Sequence, residues 1–490
     1  MRVVAADELT ARAAASGTRW GATGDDEAWR ETVRAHLAAE GSVLRRALVD
    51  RMLRWHDAPD DDATRGRVND LIDALDGVGD VLVGDGGLVG AAPLRAALVL
   101  RRPVSNDIGR GACLGDLDGA GAQELVVLRA DPFAEVYDPD TLCLRTTLAV
   151  PPYARACEVA DLDGDGRPEL ALAHSIRFGA RLTERWEGRA LDSVTAGHVE
   201  PDDATGARWR WRWPMAWSFA EERNVRGVGH VLAALDLDGD GRRELAVAGT
   251  ITTDPPVRQG FVRVWEFAPT GCAGERACPD AVHDHEFFDT PDVNDLFVTS
   301  VDDDPAPELV ADLGCTGGGV WVFDGAWSSP PRNVASVGQS SHGAFADLDG
   351  DGAQDYLAAT TPRCNGGYGP PTALRWLRPE GGLFRHYAEA RHPTAVRTQQ
   401  PMVAAVDVLG DARPEALFCA RDTENPAGAR LRCDLYAFDA PHIDLVGSWT
   451  EPDALADILS RMLVADVNRD GHDDALVVTQ SRVYLFRASP

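Results

Sequence analysis

A chain of 490 residues is longer than one ordinary core fills, so it reads as several domains or a single repeat array. With 44% hydrophobic and 26% charged residues and 48 glycines it is neither disordered nor collagen-like. The 48 basic residues, all arginine, face 78 acidic ones, and a net charge of −30 opposes nucleic acid and anionic membrane surfaces.

From the N-terminus, MRVVAADELTARAAASG lacks the apolar stretch of a secretory signal. No window of the chain is apolar for long enough to span a bilayer as a helix. Residues 1–92 read as a small helical domain: DDEAWRETVRAHLAAEG, SVLRRALVDRMLRWHD and TRGRVNDLIDALDG are amphipathic, Ser42 suits an N-cap, and Gly41 and Gly77 suit stops. The short runs DVLV and GLVG follow, and the segment carries more acid than base, against a winged-helix DNA reader.

From residue 93 onward one unit recurs seven times, as GDLDGAGAQELVVL, ADLDGDGRPELALA, ALDLDGDGRRELAVAG, TSVDDDPAPELVADL, ADLDGDGAQDYLAAT, AVDVLGDARPEALFC and ADVNRDGHDDALVVT. The first loop positions are Asp116, Asp161, Asp236, Ser300, Asp347, Asp407 and Asp466. Of the 78 acids, 26 fall in these seven nine-residue loops, which leaves the rest of the chain close to neutral. Acid concentrated in that way marks cation sites more than a solvating surface.

Oxygen side chains at positions 1, 3 and 5, a backbone carbonyl at 7 and a carboxylate at 9, turned by Gly at 6, wrap one hard cation. The full pattern occurs at Asp161, Asp163, Asp165, Arg167 and Glu169, and at Asp236, Asp238, Asp240, Arg242 and Glu244. It occurs again at Asp347, Asp349, Asp351, Ala353 and Asp355, and at Asp466, Asn468, Asp470, His472 and Asp474; Arg167, Arg242, Ala353 and His472 offer only their carbonyls. Oxygen-only donor sets favour calcium over zinc, and the flexible ligand number favours it over magnesium. Four strong calcium sites are expected, with a fifth, weaker one at Asp116, Asp118 and Glu124, where position 5 is Ala120. The fourth copy has Ser300 and Pro305 at positions 1 and 6, and the sixth has Leu409 and Ala412 at positions 3 and 6, so in both a turn kept for shape is expected. The last acid stands at position 9, not 12, and strand-like runs such as ELALA follow at once, which excludes an EF-hand.

After each loop but one, a further strand-like run centres on Tyr137, Trp265, Trp321, Trp376, Tyr436 or Tyr484, and usually one more precedes the next loop. About four strands repeated seven times spell an all-β, seven-bladed propeller. The last copy ends after its third strand, and LRAALVL, at about 93–101, has no blade of its own. Pairing it with Val483 to Phe486 would close the ring over 93–490.

These DxDGDGxxEL loops resemble the FG-GAP or VCBS repeats of the integrin alpha-chain headpiece and its bacterial relatives, over roughly four fifths of the chain. The resemblance implies a seven-bladed propeller with structural calcium in several first hairpins and ligand binding on a face of the disc. It also implies an extracellular or cell-surface location, with a cytoplasmic one as the alternative because no export signal is visible.

In the second unit, RWRWRWPMAW alternates Arg208, Arg210 and Arg212 with Trp209, Trp211 and Trp213, giving a strand one aromatic and one cationic face. It reads either as a sugar-stacking platform that grips an acidic glycan or as a strand that packs its tryptophans between blades. Nine cysteines suggest disulfides, with Cys419–Cys433, Cys272–Cys278 and Cys315–Cys364 as candidates; buried free thiols are the alternative. The sequence carries no nucleophile, metalloprotease or phosphate-loop motif, and His174, His230, His342 and Tyr368 stand singly. A non-enzymatic binding or adhesion module for a protein or glycan is therefore expected, with a polysaccharide lyase using the disc face as the alternative.

Overall fold

The computed structural model describes residues 80–82, 96–101, 111–129, 133–150, 154–174, 185–186, 189–190, 194–201, 209–217, 226–252, 258–267, 279–287, 292–302, 306–314, 319–324, 330–335, 340–360, 372–391, 399–422, 430–451, 459–480 and 482–487. The helices expected before residue 80, Tyr368, and Cys272, Cys278, Cys315 and Cys364 lie outside these.

The chain forms a seven-bladed, all-β propeller, each blade an antiparallel sheet. Blade 1 comprises Ala112–Gly115, Glu124–Leu128, Phe133–Asp138 and Cys143–Ala149. Blade 2 comprises Ala154–Ala160, Glu169–His174, Val194–Pro201 and Trp209–Trp217, and blade 3 Arg226–Leu235, Glu244–Thr252, Arg258–Phe267 and Pro279–Phe287. Blade 4 follows with Asp292–Thr299, Glu308–Gly314, Gly319–Phe323 and Arg332–Ala335, and blade 5 with Ser340–Ala346, Asp355–Thr360, Ala373–Glu380 and Leu383–Arg391. Blade 6 holds Gln399–Val406, Glu415–Asp422, Arg430–Asp439 and His442–Thr450.

The last sheet joins both ends of the ring. Leu459–Ala465, Asp474–Thr479 and Arg482–Phe486 are followed by Ala96–Arg101, with Leu98 opposite Leu485, Val99 opposite Tyr484 and Leu100 opposite Val483. The sheet extends one strand further, to Asp80–Leu82, upstream of the boundary at residue 93 read from the sequence. The first strands of successive blades touch all around the ring, blade 7 meeting blade 1, so they form its inner wall.

Packing explains the strand sequences. Second strands such as Glu124–Leu128, Asp355–Thr360 and Asp474–Thr479 are buried along their whole length, because a blade on each side covers both faces. Their sequences accordingly read as unbroken apolar runs after one acid. Outer strands such as Leu383–Arg391 are mostly exposed and correspondingly polar. Apolar clusters join each blade to the next from blade 1 to blade 7; between blades 6 and 7, for example, Trp449 packs edge-on against Tyr484 and Phe486. At the junction of blades 7 and 1, Arg469 donates to the Gly121 carbonyl at 2.7 Å and Arg487 to that of Asp140 at 2.6 Å.

Among the described residues two disulfides tie the frame. Cys419–Cys433, the expected hairpin bridge, joins facing residues of neighbouring strands in blade 6. Cys113–Cys157, absent from the sequence reading, links the first strands of blades 1 and 2, and Cys143 is buried outside any disulfide, its Sγ 3.5 Å from the Thr141 carbonyl. Among the described residues no helix is long and apolar enough to cross a membrane.

Candidate metal centres in the blade hairpins

Every acidic loop joins the first strand of its blade to the second, and a shared hydrogen-bond scheme shapes it. The position-2 residue, Leu117, Leu162, Leu237, Leu348 or Val408, is buried as an apolar anchor. Its N–H donates to one oxygen of the position-9 acid, at 2.9 Å for Glu124, 2.7 Å for Glu169, 2.6 Å for Glu244, 3.3 Å for Asp355 and 2.9 Å for Glu415. The position-1 aspartate accepts from the N–H at position 6, as Asp236 does from Gly241 at 3.0 Å. Positions 3 and 5 accept from the N–H two residues on, as Asp238 does from Asp240 at 3.0 Å and Asp240 from Arg242 at 2.8 Å. The turn demands left-handed backbone at positions 4 and 6, which glycine adopts freely: φ is +77° at Gly239 and +89° at Gly241.

The sixth loop holds the same turn without that glycine. Ala412 sits at φ +66°, its N–H still reaching Asp407 at 2.9 Å, while Glu415 accepts from both Val408 and Leu409. In the seventh loop Arg469 takes position 4 at φ +61°.

The scheme uses one oxygen of each position-9 acid and turns the other toward the remaining acids. Asp116, Asp118 and Glu124, then Asp161, Asp163 and Glu169, then Asp236, Asp238 and Glu244 form groups whose oxygens lie within 4.8 Å of one another, and each group could hold a metal ion. Asp238, Asp240 and Glu266 form a further group in blade 3.

Whether these residues suit a hard cation is tested by what their oxygens lack. Glu244 is 4% exposed; its Oε2 accepts from Leu237, and its Oε1 is buried with no hydrogen-bond donor. Asp116 Oδ1 and Asp349 Oδ1 are in the same condition. A buried acceptor left without a donor costs on the order of 1–3 kcal/mol, and a bound cation removes that cost. Burial pushes Glu244 up to about 7, against the Leu237 hydrogen bond, with Asp238 and Asp236 pushing the same way. Burial likewise takes Glu124 and Glu415 to about 7 and Asp355 to about 6. The donor sets fit a calcium-like ion.

Side chains outside the motif complete the picture, and no motif announces them. His198, on the third strand of blade 2, places Nδ1 2.8 Å from Glu169 Oε1 and Nε2 3.7 Å from Asp165. The Glu169 hydrogen bond raises the His198 imidazole above its ordinary value. Arg145 of blade 1 bonds Glu124 and reaches Asp138 at 3.1 Å. In blade 5, Arg378 contacts Asp351, lies 2.7 Å from Asp349 and rests 5.1 Å from the Tyr387 ring centroid. In blade 3, Arg242 bonds Asp240 and turns away from the cluster to Glu266, 3.2 Å off.

The alternating Arg/Trp segment, with Trp209, Arg210, Trp211, Arg212 and Trp213, is the outermost strand of blade 2. It pairs Trp211 with Val199 and Arg212 with His198. His342, read from the sequence as a solitary histidine, is bonded through Nδ1 to Asp295 at 3.2 Å. His174 and His230 lie on the second strand of blade 2 and the first strand of blade 3.

No family model matches the chain. Among curated proteins it is similar to the polyketide synthase GfsA of Streptomyces halstedii, 30% identical over 215 residues that cover 38% of this chain, and it spans 3% of that synthase's length. Among solved structures it is similar to BBS1N in its crystal structure in complex with ARL6DN, soaked with lead. The identity there is 9% and the TM-score 0.46, over 81% of this chain and 96% of that one.

Proposed function

We propose that this propeller is a calcium-stabilised, non-enzymatic binding module of the FG-GAP or VCBS kind, which presents a face of its disc to a protein or glycan partner. The observation that carries the reading is the second oxygen of Glu244, buried without a donor and facing Asp236 and Asp238. Calcium at such a loop supplies positive charge among carboxylates that otherwise repel one another. The loops then act as clasps: Asp161, Asp163, Asp165 and Glu169 in blade 2, Asp236, Asp238, Asp240 and Glu244 in blade 3, and their counterparts in blades 5 and 7. Two disulfides and loops of the kind that suit millimolar calcium favour an extracellular or cell-surface setting.

Calcium titration of chelator-treated protein by calorimetry, run beside thermal melts, tests the reading. Each filled site is expected to stabilise the fold by about 2.7 kcal/mol at a calcium concentration one hundred times its dissociation constant. A melt indifferent to chelator, together with no heat of binding, overturns it. A glycan and polysaccharide screen in calcium, repeated with Trp211→Ala, then separates a carbohydrate partner from a protein one.

A further inference from the structure

The inner wall of the ring carries a cluster of charge that the calcium loops do not use. Arg461, on the first strand of blade 7, donates from Nη1 to Asp295 Oδ1 at 3.0 Å. Asp295 is on the first strand of blade 4, so this pair crosses the axial channel. Its other oxygen meets His342 Nδ1 of blade 5 at 3.2 Å. Asp295 is 8% exposed; burial opposes its charge, yet Arg461 and His342 hold the carboxyl below its usual value. That pair is satisfied.

Glu158 is not. It projects from the first strand of blade 2 into a cavity of about 410 Å³, which it lines with Arg461 and with Leu296, Phe297, Val298 and Phe345 among others. Burial pushes its carboxyl up to about 7. Arg461 and Arg243 pull the other way, but neither forms an ion pair with it among the described residues. Val298 stays 40% exposed although it stands on an inner strand, so the cavity has an uncovered apolar wall. A half-buried acid with no ion-pair partner among the described residues, set beside apolar walls, is the arrangement of a small-molecule site.

We propose that this axial cavity binds a small organic cation, an ammonium group on a short apolar chain, with Glu158 pairing the ammonium and Phe297, Val298 and Phe345 holding the chain. The sign of the ligand follows from the charge count. Arg461 is already spent on Asp295, so an anion would have to break that pair, whereas a cation completes Glu158. The acidic balance of the whole chain also concentrates cations near it. The site uses no residue of the acidic loops and stands whether or not they hold metal.

The test is a calorimetric titration of the full chain with n-butylammonium at about pH 8, with butyrate and 1-butanol as controls. Butylammonium is expected to bind, and Glu158→Gln to weaken it about 30-fold or more. Val298→Trp, which fills the cavity from an exposed position, is expected to abolish binding while leaving the melt in place. Affinity should rise with pH through about 7 as Glu158 ionises; Arg461, Arg243, Asp295 and His342 are the charged or titratable groups facing or flanking it. Butyrate binding as tightly as butylammonium, butylammonium binding undiminished in Glu158→Gln, or no binding to protein with a native melt each overturn the proposal.

Discussion

Blades 3 and 5 spell their loops alike, DLDGDG, and neutralise them differently. In blade 3 the nearby arginine, Arg242, bonds Asp240 and leans out to Glu266, and Glu244 Oε1 is buried without a donor. In blade 5, Arg378 enters from the third strand, contacts Asp349 and Asp351, lies 3.9 Å from Asp355 and is backed by the Tyr387 ring. A shared DLDGDG opening thus yields one loop whose own arginine leans out to Glu266 and one that an arginine enters from the third strand. The difference rests on position 7, arginine in one loop and alanine in the other, and on Glu266 and Arg378, which stand on third strands more than twenty residues further along.

The largest effect is expected from pH in metal-free protein. Glu244 has its carboxyl raised from 4.5 to about 7 in the fold, so its contribution to stability is fully present below pH 4.5 and is lost as pH rises through about 7. Glu244→Gln should remove roughly 3 kcal/mol of that pH dependence. Asp355 is raised only to about 6, so Asp355→Asn should remove a smaller dependence over a window that closes lower. Equal responses in urea melts of the two variants would erase the contrast between the loops.

Next comes Arg378→Met. Without the guanidinium, the blade 5 carboxylates face one another unscreened. Metal-free stability should fall by about 2 kcal/mol, below the usual cost of breaking a buried pair because the arginine is partly exposed. Calcium should restore most of the loss, and the calorimetric stoichiometry should rise if Arg378 had been excluding an ion. Unchanged stoichiometry and an unchanged melt would mean the arginine is a bystander. The smallest effect belongs to the loop with alanine in place of its second turn glycine: Ala412→Gly relieves a left-handed alanine and should raise stability by about 1 kcal/mol, read as a higher denaturation midpoint.

The ring of seven sheets was legible because its evidence is local: a turn with glycine, an acid at position 9, then an apolar run buried on both faces. The acids that gather at each hairpin were legible for the same reason. The counter-ions were not. Arg378, Arg145 and His198 reach the loops from third or fourth strands, and whether a strand residue faces a loop depends on register, where a slip of one residue reverses the face. The Asp295–Arg461 pair joins residues 166 apart in sequence across the axis, and Cys113–Cys157 joins two blades. Ring closure creates the first of these neighbours and the stacking of consecutive blades the second.

Closing the last sheet with Ala96–Arg101 also sets a timetable for biosynthesis. That strand leaves the ribosome about 380 residues before its partner Arg482–Phe486, a delay of roughly 20 to 75 s at ordinary elongation rates. Throughout that interval its hydrogen-bonding edge is open to any other strand, including one on a neighbouring nascent chain. Six blades can stack one upon the next as they emerge, but the seventh has no complete sheet until its third strand meets one made near the start. Circular permutation that moves residues 96–101 behind residue 487 would remove the wait and turn the slowest pairing of the fold into an adjacent one.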